Sequence, residues 1–138
     1  MDLVEFLNAR LDEDGRVALA TAVSRGTPAC YVWEASPEAG RASEWEVWTE
    51  ERWRIVPGQT EADATHVARH DPARVLAEVD AKRRILELHG PAEYEYSDVD
   101  ICSTCDRGGP LPHPCPTLHL LALPYADHPD YDEAWRPQ

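Results

Sequence analysis

Three cysteines toward the C-terminal end carry the clearest chemistry in the sequence. Cys102-Ser103-Thr104-Cys105 has the two-residue gap that lets both thiolates point at one ion, as in zinc knuckles. Cys115 follows ten residues later, at the expected N-terminus of a helix, where backbone dipoles stabilise a thiolate. Gly108-Gly109-Pro110 between them suits a tight return of the chain. A tetrahedral site needs a fourth donor, and His89, His113 and His119 are the candidates. His89 is favoured, because it sits at the last turn of a long helix from which the chain must leave and come back. His119 comes second, four residues past Cys115 on one helical face. His113 is too near Cys115 to chelate without a contorted backbone. The expected site is Cys102, Cys105, Cys115 and His89 around one structural Zn2+, closed by four protein donors and so not catalytic.

Other uses of these thiols are weaker readings. An iron–sulfur cluster would need Cys30 as its fourth ligand, and Cys30 lies far along the chain in an expected strand. A redox dithiol lacks the strand–CxxC–helix context. Incidental, unligated thiols are the bland alternative, and the third cysteine with its surrounding histidines argues against it.

A second constellation is His66-Val67-Ala68-Arg69-His70-Asp71. Two histidines four apart on a helix can chelate a metal, with Asp71 orienting one of them. The glutamate of the metalloprotease pattern is missing and no third ligand is evident. The plainer reading is a solvent-facing helix end, with His70 capping the last carbonyls and Asp71 starting the next helix. The tryptophans Trp33, Trp45, Trp48 and Trp53 form a third cluster. Aromatics on strands are ordinarily core, here against the long helix, and the alternative is a binding face. No glycine-rich phosphate loop, nucleophile elbow or convincing Ser/His/Asp set is present.

The elements that must position these residues follow from apolar spacing. Residues 2 to about 24 read as a helix, with Leu3, Phe6, Leu7, Leu11 and Val17 in register and Asp2 as N-cap. Gly15 weakens its middle, so two helices interrupted near Asp14-Gly15 are the alternative; Gly26 is a stop. Residues 28 to 58 read as three short strands around Tyr31-Val32-Trp33, Trp45-Val47-Trp48 and Trp53-Ile55-Val56. Ser36-Pro37-Glu38-Ala39-Gly40 and Glu50-Glu51-Arg52 separate them, and Pro57-Gly58 ends the meander. Thr60 with Asp63 resembles a capping box for a helix to about His70. Asp71-Pro72 then starts the longest amphipathic run, Pro72 to His89, with Gly90-Pro91 ending it. Residues 91 to 114 read as a loop. A short helix follows from Cys115-Pro116, presenting Leu118, Leu121 and Ala122 or Leu123 to the core until Pro124 ends it; the tail folds back as a turn and a half-helix.

The whole therefore reads as one α+β domain over residues 1–138: an N-terminal helix, a small antiparallel sheet, a long central helix, and a zinc-stapled C-terminal segment with a short helix. Residues 1–90 carry the helices and sheet; residues 91–138 are the Cys/Pro-rich part. A chain of 138 residues that is 43% hydrophobic and 28% charged suits a globular domain. The net charge of −13 disfavours nucleic acid phosphates and anionic membranes as direct partners. No targeting segment or membrane span is visible, so the cytoplasm is the expected compartment, where cysteines stay reduced or metal-bound.

Certain strings are recognisable. His66–Ile85 (HVARHDPARVLAEVDAKRRI), Pro114–Tyr131 (PCPTLHLLALPYADHPDY), Trp135-Arg136-Pro137 and Phe6–Asp14 (FLNARLDED) resemble a small protein family of uncharacterised function from Streptomyces, other actinobacteria and their phages. The resemblance spans about two thirds of the chain and carries little over residues 25 to 58. It implies an actinobacterial or actinophage origin and a cytoplasmic setting, and no activity. The family's block often carries Arg where this chain has His119, which favours His89 as fourth ligand. The chain is expected to be a non-enzymatic, zinc-binding interaction or regulatory protein with a protein partner. The alternatives are a metal-dependent hydrolase using His66, His70 and Asp71, and an acidic inhibitor that mimics nucleic acid.

Overall fold

The computed structural model describes residues 1–23, 31–106 and 108–137. Gly26 and Cys30, read above as a helix stop and a strand cysteine, lie outside the described residues. The fold is α+β, with four α-helices and two three-stranded antiparallel sheets among the described residues. The chain divides into two compact units: a central unit, Asp14–Val79, and a terminal unit made of Met1–Glu13 with Asp80–Gln138.

Helix α1 (Leu3–Val23) runs unbroken through Gly15, so the two-helix alternative does not hold. Packing outweighs the propensity cost of one glycine, which is only about 1 kcal/mol. A Cβ built on Gly15 would meet Val79 Cγ1 at 4.0 Å, an ordinary contact.

In the central unit, strands β1 (Trp33–Glu38), β2 (Arg41–Thr49) and β3 (Arg54–Gln59) form a sheet in that order. Trp33, Ala35 and Pro37 stand opposite Thr49, Val47 and Trp45. Two expectations are corrected here. The separator before β2 shrinks to Ala39-Gly40, because β1 continues through Pro37 to Glu38, and β3 continues through Pro57-Gly58 to Gln59. Both prolines sit on edge strands, where a missing N–H need not break the ladder. Helix α2 (Glu61–Arg69) packs across β1 and β2. Its N-cap is Thr60, whose hydroxyl accepts from the Asp63 N–H at 3.2 Å, as the capping box predicts. Val47, Thr49 and Ala64 are buried in this unit. Trp33, Trp45 and Trp48 are half-buried and Trp53 is 55% exposed, so none of the four is a fully enclosed core residue. The Arg52 guanidinium lies 5.2 Å over the Trp48 ring.

Helix α3 (Pro72–Leu88) starts at Asp71, whose Oδ1 accepts from the Arg74 N–H at 2.8 Å. The other carboxylate oxygen accepts from the Trp33 N–H at 3.3 Å and ties this helix start to β1.

In the terminal unit, most described residues between 91 and 114 are not loop. They form a second sheet of β4 (Pro91–Tyr94), β5 (Ser97–Asp106) and β6 (Pro110–Pro112), in that order. The prolines that suggested a loop fall at the first residue of β4 and on β6, both edge strands, where proline is tolerated. Helix α4 (Pro116–Ala122) follows, with Cys115 as its N-cap residue and Leu118 and Ala122 fully buried. Pro124 does not stop the chain's winding; it lies inside a 3-10 turn, Leu123–Tyr125. The tail wraps Phe6 of α1 in aromatic rings, with centroids 6.3 Å away for Tyr125, 5.8 Å for His128, 5.9 Å for Tyr131 and 5.1 Å for Trp135. Leu3, Phe6, Leu7 and Leu11 complete this core from one stripe of α1. No described helix is long and apolar enough to cross a membrane.

Candidate metal centre

Three elements of the terminal unit bring four donors together. His89 directly follows the last residue of α3, Cys102 and Cys105 lie on β5, and Cys115 opens α4. The ligand atoms of these four residues all lie within 4.8 Å of one another. His89 Nδ1 is 3.4 Å from Cys102 Sγ, 3.4 Å from Cys105 Sγ and 3.5 Å from Cys115 Sγ. A tetrahedral zinc with Zn–S of about 2.3 Å and Zn–N of about 2.0–2.1 Å separates its nitrogen and sulfur ligands by about 3.5 Å. One imidazole nitrogen cannot hydrogen-bond three sulfurs at once. A cation at the centre uses all four donors, so this group can hold a metal.

The local backbone explains why a strand can present a CxxC pair. In a regular strand, residues three apart point to opposite faces. Between Ile101 and Asp106, β5 departs from regular register against β6, and the Cys105 N–H turns toward Cys102 Sγ at 3.4 Å. The two residues between the cysteines anchor the turn to the end of α3. The Ser103 hydroxyl donates to the Leu88 carbonyl at 2.9 Å, the Thr104 hydroxyl donates to the same oxygen, and the Ser103 N–H donates to the Gly90 carbonyl at 2.9 Å. These bonds satisfy carbonyls that a helix end leaves free and hold His89 beside the thiols. Sequence reasoning missed Ser103 and Thr104 as positioning residues. Their signal was the pair of hydroxyls enclosed by the cysteines.

Burial and charge define the site's character. Cys102 and Cys115 are buried and Cys105 is half-buried, and all three are free of disulfides. Burial pushes the Cys102 thiol up, but the backbone N–H groups of Thr104 and Cys105, with His89 and Cys115, outweigh it and bring it down to about 6. Burial pushes Cys105 up as well, and there its bonds to Cys115 and Cys102 and their charge add to the effect and carry it to about 11. Metal-free, Cys102 gives up its proton readily while Cys105 resists losing its own. A divalent cation removes that conflict by binding thiolates directly.

The remaining histidines stand elsewhere. The His119 Nδ1–H donates to the Trp135 carbonyl at 2.7 Å, which ties α4 to the tail. His113 is half-buried and its Nε2 has no hydrogen-bond partner among the described residues. In the central unit, His66 and His70 lie side by side and exposed, with ring centroids 4.6 Å apart. Asp71 does not join them, because both its oxygens serve Arg74 and Trp33.

A family model described as "Family of unknown function (DUF6221)" matches residues 1–137. No curated protein and no solved structure matches the chain.

Proposed function

The chain belongs to the DUF6221 family, a family of unknown function, and from that premise we propose that it is a zinc-binding interaction or regulatory protein whose metal is structural. The observation that carries this reading is the convergence of His89 Nδ1 on Cys102, Cys105 and Cys115 at 3.4–3.5 Å. Three thiolates and one imidazole are the donor set of a closed zinc site, with no position left for substrate or water. The zinc clasps the end of α3 to β5 and to the start of α4. A role in binding a protein partner is supported by large apolar side chains that this unit leaves more than half exposed, among them Leu88, Tyr96, Val99 and Leu120. Free thiols fit a reducing compartment, and so favour the cytoplasm. The likeness of His66–Ile85 and Pro114–Tyr131 to actinobacterial and phage sequences supports an origin there.

The competing readings each lack a necessary feature. A hydrolase centred on His66 and His70 needs a third donor, and Asp71 is committed to capping α3 and tethering β1. A nucleic acid mimic needs acids ranked alone on a face. Several exposed carboxylates here pair with arginines, as in Arg41–Glu44, Arg74–Glu78, Arg84–Asp80 and Arg136–Glu133, while Glu93, Glu95, Asp98 and Asp100 line one groove together.

Elemental analysis of the purified protein tests the zinc, with one zinc per chain in the wild type and a clear loss in Cys102→Ser as the expected result. Protein purified from zinc-replete cells without stoichiometric metal would overturn it. Affinity capture from an actinobacterial lysate, with metal-loaded and chelator-stripped bait compared, tests the partner. Capture that depends on the metal supports the interaction role, and no difference between the baits counts against it.

A further inference from the structure

The His66–His70 pair belongs to the central unit and is left unused by the zinc clasp. The two residues are four apart at the C-terminal end of α2, His66 in its last turn and His70 as its C-cap. Both are exposed, and their rings stand with centroids 4.6 Å apart and planes at 48°. Among the described residues, no hydrogen bond or ion pair engages a ring nitrogen of either one. Neither core packing nor capping by Asp71 accounts for bringing the imidazoles together, since that carboxylate is spent on the Trp33 and Arg74 N–H groups.

We propose that His66 and His70 form a second, surface metal site: an open two-imidazole chelate for a first-row divalent ion. Two histidines sharing an ion at about 2.0–2.1 Å from each nitrogen place their ring centroids roughly 5 Å apart, close to the 4.6 Å of this pair. Imidazole selects zinc, copper and nickel over magnesium or calcium, which prefer oxygen donors. The negative end of the α2 dipole favours a cation at this turn. Unlike the cysteine cluster, the pair fills only part of a coordination sphere, and the remaining positions go to water or to a donor from another molecule. This proposal stands apart from the zinc clasp and uses none of its residues.

Nickel is the probe of choice, because it binds imidazole well. The full chain is first loaded with one equivalent of zinc and washed with a weak chelator that strips surface-bound ions, then titrated with Ni2+ by calorimetry while a chromogenic chelator reports any zinc released. The expected result is a saturable Ni2+ site whose affinity falls roughly tenfold or more in both H66A and H70A, as the second donor of a chelate is lost. Both side chains are exposed, so circular dichroism and melting of the variants should match the wild type and exclude misfolding. Equal Ni2+ binding by wild type and both variants would overturn the proposal, as would Ni2+ uptake matched by zinc release. All three proteins share the same cysteines, so failure of the zinc reading would leave this comparison intact.

Discussion

The central sheet buries Val47 and Thr49 in a unit whose helix α2 packs across it, whereas Cys102 is the one fully buried side chain among the described residues of the terminal sheet. Both sheets have three antiparallel strands. The first buries Glu46 as well and packs against helix α2. The second is proline-edged and mostly solvent-exposed among its described residues. In the proposed reading, its order comes from a metal linking donors that lie on three elements. In that reading the terminal sheet exchanges core for metal donors, of which Cys102 is buried and Cys105 half-buried.

The largest effect should follow from breaking the clasp. Cys115→Ser, or removal of metal by a strong chelator, is expected to cost more than about 4 kcal/mol in the terminal unit. Hydrogen exchange should then rise sharply across residues 91–112, with far less change across residues 33–59. Equal loss of protection in both sheets would break the comparison.

A core truncation in the other sheet should do the reverse. Val47→Ala is expected to destabilise the central unit by about 2 kcal/mol, read from denaturant unfolding. Zinc stoichiometry should stay unchanged.

The metal-free thiols make a further distinction. Cys105 holds its proton up to about 11 and Cys102 gives its up at about 6. At pH 7.5 Cys102 is already mostly thiolate, while Cys105 must release a proton on loading. Affinity for zinc therefore weakens as the pH falls, because protons compete for the same sulfurs. Calorimetric titration of zinc in buffers of different ionisation enthalpy should report at least one proton released per ion. Chelation of the histidine pair in the central unit draws on no thiol protons.

The smallest effect belongs to helix α1. Gly15→Ala should stabilise the central unit by about 0.5–1 kcal/mol, since the helix gains propensity and the new methyl meets Val79 at an ordinary contact distance. A fall in the melting midpoint would mean that the packing there is tighter than 4.0 Å allows.

The contrast also explains what could be read in advance. Helix α1, α2 with its Thr60 cap, and α3 from Asp71-Pro72 were legible because apolar spacing and capping chemistry act within a few residues. The central sheet was legible as β-branched and aromatic clusters, with its strand ends misplaced by Pro37 and Pro57. The terminal sheet was not legible at all. Its strands carry acids, prolines and hydroxyls, and prolines on an edge strand look in sequence like prolines in a loop.

For the candidate site, spacing alone pointed to Cys102, Cys105 and Cys115, because a two-residue gap and a later helix start constrain where thiolates can aim. It favoured His89 over His119 and His113 without the means to place any of them. That choice belongs to the tertiary structure. The Ser103 and Thr104 bonds to Leu88 hold the end of α3 against β5, while His119 is drawn to the Trp135 carbonyl. Local chemistry determined which residues could bind a metal; long-range hydrogen bonds between chain segments decided which of them meet.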